Sequence, residues 1–321
     1  MQKLSILFLS FLFCLSVSAQ LKWQNVDSLF RPLPASVHVY KTTSLLGGKP
    51  NIAYYVEADL KDRKLDFSTD TTYNRRLTPS KFYEKNEHPL VVINTTFFSF
   101  ATNQNLNVVI KNTDVVAFNA ELFRKSKTDS TIKIPVYGSA IGISNRRIAD
   151  IAWIKTDSAK NYAMAMQEPE IGRRKARRRT NSVPGETETT RALNPFQRWR
   201  MRTAVGGGPV LLQNGEIMIT NNEELKFAGK AIDDKHPRTA MGYTKGNKLI
   251  LLVIQGRAPG IAEGATLTQE AQIFKDLGCR EAINLDGGGS SCMLINGKET
   301  IKVSDVTGQR PVPAVFIIKA R

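Results

Sequence analysis

From Ala282 to Ser291 the chain reads Ala-Ile-Asn-Leu-Asp-Gly-Gly-Gly-Ser-Ser, so an apolar segment runs straight into a carboxylate, three glycines and two hydroxyls. Ala282 to Leu285 reads as a short buried strand, which puts Asp286 where a sheet ends. The glycines let the backbone adopt positive φ and approach a ligand closely. Backbone N–H groups and the Ser290 and Ser291 hydroxyls then face one spot. A glycine-rich hairpin in which Asp286 caps its own turn uses the same residues, and both readings stand at this point, although a turn alone rarely needs so many special residues.

Other residues invite the same question. Asn94 follows the apolar run Leu90 to Ile93, so an amide stands at a second strand end; such amides cap turns, and Asn94-Thr95-Thr96 is also formally a glycosylation sequon. Arg238 and Thr239 open a hairpin whose second strand, Leu249 to Ile254, ends at Gln255-Gly256-Arg257. An Arg at a strand margin is either a solvated rim charge or a bidentate phosphate ligand. Glu270 falls inside the apolar stripe of a helix, where the helix dipole favours an acid in the first turn and where a partly buried acid can also carry function. Several familiar sites are absent. Gly288-Gly289-Ser290-Ser291-Cys292 has Cys where a nucleophile elbow needs Gly, no Gly-Lys-Ser/Thr phosphate loop exists, and His38, His88 and His236 lack zinc spacing.

The elements that must position these groups are mostly strands. Val37 to Tyr40 and Ile52 to Val56, then Leu106 to Ile110, Val115 to Phe118, Ala140 to Ile143 and Pro209 to Leu212 are short apolar runs between turn residues. Asn214-Gly215, Gly246-Asn247 and Asn296-Gly297 have the chemistry of tight hairpins. One helix is expected from Thr266 to Leu277: Thr266 and Gln269 have capping-box spacing, Gly278 suits a left-handed cap, and Leu267, Ala271, Phe274 and Leu277 share a face. Gly206 to Glu216 echoes Gly287 to Glu299 as glycine turn, strand and Asn-Gly turn, which suggests two glycine turns side by side in one sheet, bordering one pocket.

At 321 residues the chain buries about three quarters of its unfolded surface. Lys3, the apolar run Leu4 to Val17 and Val17-Ser18-Ala19 read as a signal peptide cut before Gln20, implying export to the periplasm or cell exterior. Cleavage leaves Cys279 and Cys292, either one bridge or two buried thiols. The formal charge of +16 is local in origin: residues 172–202 hold ten Lys/Arg against Glu186 and Glu188, an excess of +8. The run Arg173 to Arg179 lacks interleaved aromatics, so a solvated, mobile insertion dispensable for folding fits better than a nucleic-acid platform. No apolar run reaches the ~20 residues of a membrane span.

Taken together, NTTFF, AVGGGPVLLQNGE, RTAMGY, VIQGR and GATLTQEAQIFKDLGCREAINLDGGGSS resemble the phosphodiester glycosidase family, in the family's order, from about Pro89 to Ala320. The resemblance implies an exported hydrolase acting on a sugar 1-phosphodiester. It implies Asp286, Glu270 and Ser290 as catalytic residues, with Asn94, Gly206, Gly207, Gly208, Arg238, Thr239, Arg257, Asn284, Gly287 and Gly288 binding substrate. Two departures stand out: Thr95-Thr96 replaces small residues, and Gln255 replaces the usual Asp of Asp-Gly-Arg. The expected architecture is α+β, a twisted mixed sheet with few helices, comprising a signal peptide (1–19), a β-rich N-terminal extension (20–85) and the glycosidase-like domain (86–321) with a basic insertion at about 160–202. The expected partner is a phosphate-linked glycan or polysaccharide, not nucleic acid. Asp286 with its hydroxyls is also an oxygen set of the kind that holds Ca²⁺ or Mg²⁺. The rival readings are a non-catalytic binder of anionic polysaccharide and a glycan-processing scaffold.

Overall fold

The computed structural model describes residues 20–125, 131–169 and 195–321. The signal-peptide reading and most of the basic run lie outside these residues. The chain forms an α+β fold dominated by three sheets and a two-stranded ribbon. The eight-stranded sheet places Val37–Thr42, Ala53–Asp59, Lys248–Ile254, Arg238–Thr244, Cys279–Asn284 and Val210–Gln213 side by side between two short edge strands. The seven-stranded sheet includes Ala149–Lys155, Gly138–Ile143 and Thr203–Gly206, and the five-stranded sheet is centred on Val91–Asn94, flanked by Met293–Ile295 and Ala314–Ala320. Every described ladder is antiparallel, which narrows the expected mixed sheet.

One apolar core lies where the three sheets meet. Met241, Ile283 and Leu285 pack with Ile93 and Phe316 of the five-stranded sheet and with Ile151 and Trp153 of the seven-stranded one. The other face of the eight-stranded sheet is covered by the helix Leu267–Asp276, whose Leu267, Ala271 and Phe274 meet Ala240, Leu252 and Ala282. The expected capping box is present: Thr266 Oγ1 accepts from Gln269 N at 3.1 Å, Gln269 Oε1 accepts from Thr266 N at 3.1 Å, and Gly278 has φ +73°. Phe274 settles onto the sheet because Gly242 presents no side chain; a methyl there would lie 2.9 Å from its ring. Burying that ring contributes about 2–3 kcal/mol.

Three expectations need correction. Residues 20–85 are not an appended extension: Ala53–Asp59 pairs along its whole length with Lys248–Ile254, and Leu65–Thr71 pairs with Ala314–Ala320. The two glycine-turn copies do not share a sheet, since Val210–Gln213 belongs to the eight-stranded sheet and Met293–Ile295 to the five-stranded one. The ends of the basic insertion are sheet, not loop, because Ala163–Met166 and Gln197–Trp199 form an antiparallel pair. Among the turns, Asn214-Gly215 and Asn296-Gly297 have positive φ at both residues, whereas only Asn247 does in the third. Cys279 and Cys292 are both free and buried. Among the described residues no helix is long and apolar enough to cross a membrane.

Candidate active site

The central strand Cys279–Asn284 carries the chain to Asp286, and three neighbouring segments hold that end in place. Asn284 Nδ2 donates to Gly208 O at 2.8 Å, and Gly208 N donates back to Asn284 O at 2.8 Å. Leu285 N donates to Thr239 O at 2.8 Å, Asp286 N to Thr95 O at 2.7 Å and Gly288 N to Pro237 O at 2.8 Å. Gly207 is needed for this approach, because a methyl there would sit 2.6 Å from Asn284 O.

Asn94 ties the arrangement together. Its Nδ2 donates to Asp286 O at 2.6 Å, while its Oδ1 accepts from Thr239 Oγ1 at 2.9 Å and from Cys292 N at 3.0 Å. Asn94 and Thr239 are both fully buried, so their polar groups are taken up inside the protein. Asn94 stands one hydrogen bond behind Asp286 and the Thr239 side chain one further back, where substrate contact was expected. Burial of Asn94 also disposes of the sequon reading.

At Asp286 itself, the Oδ2 oxygen is covered and has no hydrogen-bond partner among the described residues, and the same holds for the Ser291 hydroxyl and Asn284 Oδ1. Buried polar atoms are normally paired, so a group of them beside a glycine turn marks a place for a ligand. Burial pushes the Asp286 carboxyl up to about 7, against the opposing pull of the Ser290 hydroxyl and the Arg310 guanidinium. Gly288 and Gly289 each lie under an arginine. A methyl on Gly288 would come 2.9 Å from Arg257 Nη2, and one on Gly289 would overlap the Arg310 guanidinium. Arg257 is exposed and has φ +59°, an uncommon backbone state for a residue with a side chain.

Glu270 lies deeper. It is fully buried, both carboxyl oxygens lack hydrogen-bond partners among the described residues, and burial raises it to about 8, with Arg238 opposing the rise. Arg238 is no rim charge: it is 3% exposed, its Nε donates to Ala265 O at 2.8 Å and its Nη2 to Asp234 O at 3.0 Å. Its Cα nevertheless approaches Gly287, where a methyl would be 3.7 Å away, so Arg238 spans the ground between the two acids.

Sequence reasoning missed three residues at this site. Arg310 stands in a loop outside every motif considered. Glu224, fully buried beneath Gly208, accepts from Ser139 N and Oγ, Trp153 Nε1, Val210 N and Thr220 Oγ1. Its partners are scattered from 139 to 220, so no local pattern announces it. Lys226 follows, with Nζ 5.3 Å from the Phe97 ring centroid and its amine pushed down by burial. Among the described residues no group of three or more His, Cys, Asp or Glu side chains converges as a metal cluster. Two surface cavities, one lined by Asp66 and Arg202 and one of about 450 Å³ lined by Pro34, His88 and Lys319, share no residue with this site.

A β-rich α+β fold with a protonatable acid and a glycine turn at the end of a central strand, flanked by guanidinium groups, defines a class of site suited to an anionic substrate. The chain belongs to the phosphodiester glycosidase family, whose sequence profile matches residues 88–319. It is similar to the N-acetylglucosamine-1-phosphodiester alpha-N-acetylglucosaminidases of mouse (26% identical over 140 residues, 41% of this chain) and of cattle (28% over 143 residues, 42% of this chain). The matched stretch spans 26% of each of those relatives. In fold, it superimposes on the zebrafish N-acetylglucosamine-1-phosphodiester alpha-N-acetylglucosaminidase catalytic domain auto-inhibited by its pro-peptide, with TM-score 0.58 and 21% identity over 94% of this chain and 89% of that one. It also superimposes on a hypothetical protein from Synechocystis, with TM-score 0.60 and 13% identity over 94% of this chain and 64% of that one.

Proposed function

We propose that the protein is an exported hydrolase that cleaves a sugar from a sugar 1-phosphodiester in a glycan or cell-envelope polysaccharide. The observation that carries this reading is Asp286: a strand-end carboxyl poised near neutrality, with an unpartnered covered oxygen and two arginines against the adjoining glycines. Support for export is the charged start, apolar run and Val17-Ser18-Ala19 of the sequence.

A phosphomonoester leaves as an anion that needs little protonation, so the more demanding proton transfer is from the attacking water. Asp286 as carboxylate takes that proton while the water oxygen bonds to the sugar C1. The C1–O electron pair passes to the phosphate, whose added charge the guanidinium groups and backbone N–H groups offset. Ser290, beside Asp286, is placed to orient the water or a phosphate oxygen. Glu270, raised to about 8, is mostly protonated at pH 7 and offsets little of the Arg238 charge, which Asp234 also partly balances.

The test is incubation with a panel of sugar 1-phosphodiesters, reading free reducing sugar. Turnover that disappears in Asp286→Asn supports the proposal. Binding of the whole panel without turnover would replace it with a non-catalytic polysaccharide binder.

A further inference from the structure

Away from the Asp286 site, a cavity of about 30 Å³ is lined by Asp66 and Phe67 of the strand Leu65–Thr71, by Ile143 and Arg147, and by Arg202 and Thr203 at the start of the strand Thr203–Gly206. That is room for more than one water-sized group. Three guanidiniums crowd a single carboxylate here. Arg202 Nη2 is 3.2 Å and Arg321 Nη2 3.1 Å from the same oxygen, Asp66 Oδ1. Arg147 forms no ion pair among the described residues. Its Nη1 donates to Leu60 O at 3.2 Å and Asp62 O at 2.9 Å and its Nη2 to Leu65 O at 2.7 Å, so Nε and one Nη2 hydrogen have no acceptor. The nearby Asp62 carboxylate is taken up by Ser36 Oγ and Lys64 N. Burial, then the Arg321 and Arg202 charges, hold Arg147 below its usual value, with Asp66 and Asp62 opposing.

Thr203 is a second, independent sign. It pairs with Ile143 and stands two residues before Val205, so it shares the face on which Ile141, Ile143 and Val205 pack as core. A Val would fill that volume without a polar atom. Thr203 is 2% exposed, and its Oγ1 has no hydrogen-bond partner among the described residues. Buried hydroxyls are normally paired, and this residue lines the same cavity as Arg147 and Arg202.

We propose that this cavity binds a tetrahedral oxyanion, either inorganic phosphate or sulfate or the same group carried on a sugar, through Arg147, Arg202 and Thr203. The planar fork of a guanidinium matches the paired oxygens of such an anion better than it matches a single-atom ion. The anion also balances charge that Asp66 alone does not. Once bound, it braces two sheets, because Asp66 belongs to the five-stranded sheet and Thr203 to the seven-stranded one. The strand Thr203–Gly206 is about 10 Å long and leads to Gly207 and Gly208 beside Asn284. The site stands whether or not the protein hydrolyses a phosphodiester.

Differential scanning fluorimetry with sodium sulfate, set against sodium chloride at equal ionic strength, tests this. Sulfate should raise the melting temperature saturably and beyond chloride. Arg202→Gln should raise the half-saturating concentration by about 10-fold, the scale of a lost charge-assisted hydrogen bond. Thr203→Val should raise it too, while its melting temperature without sulfate holds or increases, and it decides the matter if Arg202→Gln does not fold. General exclusion of sulfate from the protein surface acts alike on every variant. Arg257→Ala, at the Asp286 site, should bind sulfate here as the wild type does. A sulfate response no larger than that of chloride, one that Arg202→Gln and Thr203→Val both leave unchanged, or one that Arg257→Ala abolishes, overturns the proposal. Glucose 6-phosphate beside inorganic phosphate separates the two sources: equal responses assign the group to a glycan, a response to inorganic phosphate alone assigns the free ion, and either supports an oxyanion site.

Discussion

Glu270 and Asp286 each have a guanidinium within electrostatic reach, yet the two neighbourhoods differ in what else holds the arginine. Arg238, beside Glu270, is spent on the backbone carbonyls of Ala265 and Asp234 and is nearly inaccessible. Arg310, beside Asp286, spends only Nε on Asp305 and turns its outer edge to the glycines. Each carboxyl is raised by burial, and each is lowered by its own arginine and not by the other's. One pair is closed into the fold and the other is partly open to solvent, so a raised pKa alone does not separate acids in such different settings. The distinction lies in where the partner's remaining donors point.

The sharpest way to break this comparison is to neutralise both acids. Asp286→Asn should lower kcat/KM by at least ~100-fold with the unfolding temperature unchanged, whereas Glu270→Gln should leave most of the activity. Equal losses in steady-state assays would erase the difference between the sites. Removing the closed arginine should instead cost stability: Arg238→Met removes a buried hydrogen bond to Ala265 O and a part-buried one to Asp234 O and should lower the unfolding free energy by about 2 kcal/mol in urea titrations. Arg257→Ala should change it by less than about 0.5 kcal/mol.

The pH dependence separates the acids further. Glu270 titrates near 4.5 when unfolded and at about 8 in the fold, so ionising it in place opposes folding. That penalty is absent below about pH 4.5, grows between the two values and is complete above 8. Glu270→Gln should therefore gain melting temperature over the wild type progressively from pH 5 to pH 9, and a constant offset in differential scanning fluorimetry would refute this assignment. Asp286, acting as a base with a value of about 7, should give a kcat/KM that rises through neutral pH and then levels. Thr239→Val removes one buried hydrogen bond to Asn94 and should cost about 1 kcal/mol, with a modest loss of kcat as Asp286 loosens.

What could be read from the chain was what is local. The Leu267–Asp276 helix announces itself because its cap, its stop and its apolar face all lie within a dozen residues, and Asn214-Gly215 and Asn296-Gly297 specify their turns from two residues each. Asp286 at a strand end follows from Ala282 to Leu285 for the same reason. The pairing of Ala53–Asp59 with Lys248–Ile254 is invisible locally, because both are apolar runs that would satisfy any neighbouring edge. That is why residues 20–85 read as an extension. The role of Asn94 was only half legible: its place at a strand end follows from the sequence, but its three hydrogen bonds reach to 239, 286 and 292. Arg310 was missed because Gln309-Arg310-Pro311 has no pattern, and only the bare face of Gly289, far along the chain's path in space, gives it meaning.

The strand Ala314–Ala320 pairs directly with Val91–Asn94, with Val315 opposite Asn94, and Asn94 is what fastens the Asp286 loop. A growing chain therefore has its acid, its glycines and Arg257 in hand before the strand that pairs with Asn94 is made. Until the 314–320 segment is available to close the sheet beside it, Asn94 sits on an incomplete edge and Asp286 lacks its anchor. The setting of Asp286 thus depends on the whole five-stranded sheet and not on the motif that bears the acid alone.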